Sequence, residues 1–227
     1  MDTVVIKQEL NEKGYCIVDN ILSKQEVEDL KEEFYRWQET IPNYKYIHRQ
    51  IDPHGIHKYF EVGHTRFAWL MRINPRIQAI FKELWDCDEL ITSFDGSCYV
   101  PKEETRNNKV WTHTDQAPNN SEFCCVQSFM SLTENKERTL VVYEGSHKNH
   151  ESYFKERGIS HSKNWHKIDL KYLKEIDNTK RVLHVKPGSL VLWDSRTFHQ
   201  NQFGKPNSEE RIVQYLCYLP KNHKKNT

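Results

Sequence analysis

The 227-residue chain predicts a mainly β fold, a sandwich or jelly-roll barrel in its C-terminal half, with a few helices packed outside. Three observations carry that expectation. After Asp88 the sequence runs in short β-branched and aromatic stretches at near-regular spacing, broken by Pro, Asn and Gly. The secure helical periodicity lies before that point. No internal repeat or low-complexity linker divides the chain, so one domain over residues 1–227 is expected.

The elements follow in order. Gly14 to Val18, β-branched and aromatic behind a glycine, reads as a first short strand. Ser23 and Glu26 then form an S-x-x-E capping box with Leu22 and Val27 at the staple positions. Val27, Leu30, Phe34 and Trp37 repeat at helical spacing behind it. A second helix is expected to open with Asn74 as cap and Pro75 in the first turn, burying Ile77, Ile80, Phe81 and Leu84. Strands are expected over Leu90 to Val100, Lys109 to Thr114, Phe123 to Leu132 and Thr139 to Tyr143. Val182 to Val185, Ser189 to Asp194 and Ile212 to Leu219 complete the series.

Composition excludes several classes of function. With 33 basic and 32 acidic residues the net charge is +1, so whole-molecule electrostatics favour neither nucleic acid nor anionic lipid. At 37% hydrophobic residues no stretch approaches the roughly 20 apolar residues of a membrane-spanning helix. The N-terminal residues lack the basic flank and apolar core of a signal peptide. Six cysteines without a CxxC pair resemble neither a disulfide scaffold nor a zinc module, and a cytoplasmic setting is expected.

Between Tyr143 and Val182 lies a long insertion, read as lid-like over about residues 144–181. Residues 145–186 hold ten basic against five acidic side chains. The plain reading of that excess is a solvated face; the sharper one is a basic cover over an anionic small-molecule substrate.

The chemistry-bearing residues are His113 and Asp115 in VWTHTDQ and His199 in LVLWDSRTFHQ. Side chains two apart on a strand share a face, so His113 and Asp115 can project together into the interior. A histidine from a strand 86 residues further on would complete two imidazoles and one carboxylate on one side of a metal, an arrangement suited to non-haem Fe(II). The triplet alone is weak, because histidines near strands are commonly hydrogen-bonded structural residues. His48, His54, His57 and His64 crowd a second stretch, read as a solvent-facing or pocket-edge loop rather than a second metal site.

Longer stretches add weight. The Gly-Tyr opening with its capped helix, HTD at 113–115, VYEGSHK at 142–148, KPGSLVLWDSRTFHQ at 186–200 and ERIVQYLCYLP at 210–220 occur in one order. Together they resemble the phytanoyl-CoA dioxygenase-like branch of the Fe(II)/2-oxoglutarate-dependent oxygenases. The resemblance runs from about residue 14 to about residue 220 and is weakest across 40–90 and 149–181.

The resemblance implies a double-stranded β-helix, a cupin-like jelly roll, in which His113, Asp115 and His199 hold Fe(II). It implies 2-oxoglutarate as co-substrate and O2 as oxidant. Arg211 would pair with the far carboxylate of 2-oxoglutarate, a role for which a planar, permanently charged guanidinium is apt. Asn201 would touch the co-substrate where relatives often carry a small hydroxyl residue. Phe129 stands where relatives often place a tryptophan wall, with Gln127 on the same face. Ser146 and His147 of the EGSH turn read as a loop anchor. The reaction implied is hydroxylation, since relatives that halogenate lack the carboxylate at 115. Two other readings stay open: a cupin-type metalloenzyme that does not use 2-oxoglutarate, and a non-catalytic ligand-binding barrel.

Overall fold

The capping box is realised atom by atom: Ser23 Oγ accepts from Glu26 N–H at 3.3 Å and Glu26 Oε2 accepts from Ser23 N–H at 2.8 Å. In this computed structural model, which describes residues 3–44 and 54–223, that box opens helix α2 (Lys24–Glu39). Helix α4 (Pro75–Trp85) starts as expected on Asn74, whose side chain accepts from Arg76 N–H at 3.0 Å. Ile77, Ile80 and Phe81 of α4 are buried and Leu84 is half-buried. Two helices had no clear signal. Helix α1 (Thr3–Lys13) buries only Ile6 and Leu10, one turn apart, and helix α3 (Arg66–Arg72) is short.

The strands form two antiparallel sheets. The larger has the order β1 (Tyr15–Val18), β10 (Leu190–Asp194), β6 (Val126–Ser131), β12 (Arg211–Pro220), β4 (Ser97–Val100), β2 (Ile56–His57), with β3 (Leu90–Thr92) on the far end of β12. The smaller has the order β8 (His166–Lys167), β5 (His113–Thr114), β11 (His199–Asn201), β7 (Leu140–Tyr143), β9 (Lys180–Val182). The jelly-roll expectation therefore holds as an open sandwich, and among the described residues the ladders do not close into a barrel.

Period-two alternation divides each central strand between two cores. Leu190 and Leu192, Val126 and Met130, and Ile212 and Leu216 face outward to α1, α2, α3 and α4. Val191, Trp193, Phe129 and Val213 face inward against Leu140 and Val142 of the smaller sheet. Arg211, Tyr215 and Cys217 share parity with Val213 on β12. A polar side chain with that parity enters the space between the sheets.

Three expected strands end differently: Val182 to Val185 keeps only Val182, in β9, with Val185 on an isolated bridge to Asn135. Leu90 to Val100 is split, because Ser93 to Gly96 leave the ladder while β3 and β4 each pair with β12. Lys109 to Thr114 contracts to the two residues of β5. The insertion carries helices α5 (His150–Glu156) and α6 (Leu170–Glu175) and a core of its own, where Tyr153, Phe154, Ile168 and Leu173 meet Tyr143 and Phe198. Its strand β8 pairs with β5, setting Lys167 opposite His113 and His166 opposite Thr114. No helix among the described residues is long and apolar enough to cross a membrane.

Candidate metal centre and its cavity

His113 and His199 are direct cross-strand partners on β5 and β11, and Asp115 follows immediately after β5. Register places the imidazoles side by side with ring centroids 4.4 Å apart. Asp115 Oδ1 lies 3.5 Å from His113 Nε2, and Asp115 Oδ2 lies 3.4 Å from His199 Nε2. One ligand atom from each of the three falls within 4.8 Å of the others.

The tautomers follow from the carbonyls behind the rings. His113 Nδ1 is 3.2 Å from Trp111 O and His199 Nδ1 is 2.9 Å from Thr197 O. A carbonyl only accepts, so each Nδ1 carries the proton and each Nε2 turns its lone pair to the shared centre. Gln127 Nε2 donates to Asp115 Oδ2 at 2.8 Å and orients the carboxylate. Burial, with the neighbouring His199 second, pushes His113 down to about 3. Burial alone would raise Asp115, yet the two imidazoles beside it, His199 before His113, and the Gln127 amide hold it below the ordinary carboxylate range. A neutral imidazole and an ionised carboxylate are the protonation states a metal requires.

Arg211 is completely buried on the inward face of β12. Its Nε donates to Asn135 Oδ1 at 2.9 Å, its Nη1 lies 3.4 Å from Cys98 Sγ, and the guanidinium sits 5.3 Å from the centre of the Phe129 ring. Among the described residues its Nη2 has no hydrogen-bond partner and no carboxylate pairs with the guanidinium. A buried cation without a counter-ion is costly, and an incoming carboxylate would remove that cost. Asn201, two residues beyond His199, donates to Tyr215 OH at 2.8 Å while its Oδ1 is buried without a partner. Cys98 Sγ, 3.9 Å from Asn201 Nδ2, joins this group to Arg211. Phe129 is core packing and the wall beneath the guanidinium at once.

The triad opens into a cavity of about 960 Å³, also lined by Asn201, Tyr215 and Trp193. Donor set and space fit a metal with a bound keto diacid, and the unpaired guanidinium lies just behind the lining, joined to it through Cys98 and Asn201. Tyr215 went unread in the sequence although it lies four residues after Arg211, at the same parity. Asn135, a loop residue, offered no such signal.

The remaining histidines separate. His54 stacks on Trp111 at 3.8 Å, His57 is hydrogen-bonded to Tyr44 OH at 3.1 Å, and His64 packs 4.7 Å from Phe94. His48 lies outside the described residues. His147 anchors its turn as expected, with Nε2 donating to Asn11 O at 3.0 Å. From the insertion only Asn164 and Trp165 line the cavity, and its basic side chains stand on the solvent side, which supports the plain reading of that charge.

A two-sheet jelly roll holding two imidazoles, one carboxylate and a buried unpaired guanidinium has the build of a non-haem iron oxygenase. Residues 10–202 match the family model described as phytanoyl-CoA dioxygenase (PhyH). The chain belongs to that family, a branch of the Fe(II)/2-oxoglutarate-dependent oxygenases. Ava biosynthesis cluster protein O of Aspergillus versicolor is 26% identical over 238 residues, covering 95% of this chain and 77% of that protein. GlcNAc Inducible Gene 2 (GIG2) from Candida albicans superposes with a TM-score of 0.75 at 15% identity over 94% of this chain, which spans 62% of that longer one. EctD from S. alaskensis, solved with 2-oxoglutarate and 5-hydroxyectoine, gives 0.67 at 17% identity, covering 96% of this chain and 76% of EctD. The epimerase SnoN, solved with Fe3+, alpha ketoglutarate and nogalamycin RO, gives 0.63 at 13% identity, covering 96% and 83%. These structural likenesses are likenesses of fold.

Proposed function

We propose that this protein is an Fe(II)- and 2-oxoglutarate-dependent dioxygenase that hydroxylates a small organic substrate, with succinate and CO2 as co-products. The observation that carries the reading is Arg211: a fully buried guanidinium with an unpaired Nη2, adjoining the strand that ends in His199 and Asn201. The solved ligands of EctD and SnoN support the same metal and co-substrate.

His113 and His199 would hold the metal through Nε2, and Asp115 through the oxygen that Gln127 leaves open. Arg211 would take the far carboxylate of the keto diacid, with Asn201 and Tyr215 along its length. Bound Fe(II) and 2-oxoglutarate supply the activation of O2 for attack on a C–H bond. The chain fixes the two nitrogens by their carbonyl partners, keeps Asp115 ionised, and screens the centre from bulk water with Trp111 and Trp193. Asp115 fills the position that a halide would need, which favours hydroxylation.

Anaerobic titration of the Fe(II)-loaded chain with 2-oxoglutarate tests this. Chelation of the keto acid produces a visible charge-transfer band, absent in Arg211→Ala at the same concentration. A wild-type chain that binds Fe(II) and develops no band is a metalloprotein of another kind, and the proposal falls.

A further inference from the structure

Trp165 is a large aromatic residue held in an unfavourable place. Its backbone lies at φ 68°, in the left-handed region, and its indole is 46% exposed at the cavity wall. The local structure keeps it there. Its N–H donates to Asp115 O at 3.2 Å, Ile168 N–H donates to Thr112 O at 2.8 Å, and β8 between them is laddered to β5. The indole lies 5.6 Å from the His113 ring at an interplanar angle of 28°. Trp111 also flanks His113, at 4.8 Å and 20°, but that ring is occupied by His54 and its Nε1 donates to Asn201 O at 2.9 Å. The Trp165 indole has no such engagement among the described residues.

A second feature borders the same cavity. Asp95, in the break between β3 and β4, accepts from Ser93 Oγ on one oxygen, and among the described residues its other oxygen has no hydrogen-bond partner. Its loop is held rigidly. The buried Arg72 guanidinium donates to Asp95 O at 3.0 Å and to Gly63 O at 2.5 Å. A Cβ on Gly96 would lie 1.8 Å from His57 O, and one on Gly63 would lie 2.6 Å from Phe94 O, so only glycines allow this packing. Burial pushes the Asp95 carboxyl up, against the Ser93 hydroxyl and the nearby Arg72 guanidinium, which favour its ionised form. Phe94 beside it is 58% exposed. Lys58 and Glu61, also on the lining, are of opposite sign.

We infer that Trp165 and Asp95 are the substrate-contacting residues that set specificity, and that the substrate is a mainly apolar, ring-bearing molecule with a hydrogen-bond-donating amino or hydroxyl group. The ring stacks on Trp165, beside the metal ligand His113, and the donor group meets the open oxygen of Asp95. This rests on the oxygenase reading insofar as the cavity above the triad is the substrate's. The insertion, by this account, acts through one indole rather than through its basic charge.

Calorimetry with two probes tests it on the full chain, first with Fe(II) and 2-oxoglutarate under anaerobic conditions and then metal-free. Tryptamine supplies ring and donor; indole-3-acetate supplies the same ring with a carboxylate. Wild type is expected to prefer tryptamine by about fivefold or more. Trp165→Leu, which keeps an apolar side chain under the insertion, should weaken both probes by about fivefold at an unchanged melting temperature. Trp165→Phe should recover much of that loss, and Asp95→Asn should erase the preference between probes. Equal tryptamine affinity in wild type and Trp165→Leu, or a wild-type preference for indole-3-acetate, overturns the assignment. Probe selectivity without a 2-oxoglutarate band would retain these contacts while removing the oxygenase reading, and a band without selectivity would do the reverse.

Discussion

The floor and the rim of the cavity are built on different principles. On the floor, His113, His199, Gln127 and Tyr215 sit on or beside strands whose register fixes their spacing, and each polar contact follows from a ladder. On the rim, Trp165 and Asp95 sit in irregular backbone held by clamps from distant residues, Asp115 O in one case and Arg72 in the other. Floor geometry is thus tied to the sheets themselves. Rim geometry can change without unpairing a central strand.

The largest separation between the regions should come from removing a ligand. His113→Ala or Asp115→Ala should reduce iron-dependent succinate formation to the level of a metal-free blank, with the central ladders intact by far-ultraviolet circular dichroism. Substitutions at Trp165 or Asp95 should leave Fe(II) binding within about threefold of wild type by anaerobic titration, since neither touches Nε2 or the carboxylate. Wild-type turnover in either ligand variant would break the comparison at its base.

Arg211 comes next. Truncating one partner of a buried charge pair costs about 2–5 kcal/mol, so Arg211→Ala should raise the 2-oxoglutarate concentration for half-maximal succinate formation by about thirtyfold or more. Fe(II) affinity in the absence of co-substrate should change little. Equal losses of both affinities would mean that the guanidinium supports the floor as a whole.

The metal-facing floor residues His113, Asp115 and His199 are also the ones read from the sequence, whereas Tyr215 was not. The T-H-T-D spacing and the strand before His199 are local patterns that the sheets convert directly into one shared face, whereas Arg211 is implied by the resemblance and not by periodicity. The capping box and the Asn74-Pro75 start are equally local and appear as written. Trp165 depends on β8 finding β5 some fifty residues upstream, and a two-residue strand has no periodicity to detect. Asp95 reads as mid-strand when Leu90 to Val100 is treated as one run; the Asp95-Gly96 pair inside it is a local turn signal that marks the break, where Arg72 holds the Asp95 carbonyl.

The rim clamp is expected to matter for stability before chemistry. Arg72→Met leaves the carbonyls of Gly63 and Asp95 without their donor in a buried setting, at a cost of about 2–4 kcal/mol in urea unfolding. Hydrogen exchange should accelerate through residues 93–96 and leave β5 and β11 protected. Uniform acceleration across both regions would show that rim and floor open as one unit.

The smallest effect lies at the seam between insertion and floor. His150 Nε2 donates to Gln116 O at 3.3 Å, next to Asp115, and His147 Nε2 ties the start of the insertion to Asn11 O. In both rings Nδ1 is buried without a partner, so a second proton would create an unsatisfied N–H. Burial accordingly lowers both below their ordinary value of 6.5, and His113 shares that direction in the metal-free chain. Below pH 6.5 the unfolded chain then binds protons that the folded chain refuses, so stability falls as pH drops; above 6.5 these groups contribute no slope. Each histidine can supply at most about 1.4 kcal/mol per pH unit. Urea midpoints should therefore be lower at pH 5.5 than at pH 7.5, and His150→Asn should flatten the difference. An unchanged slope in that variant would place the proton-sensitive joint at another histidine that burial lowers, His147, His113, His54 or His166, away from the seam's contact with Gln116.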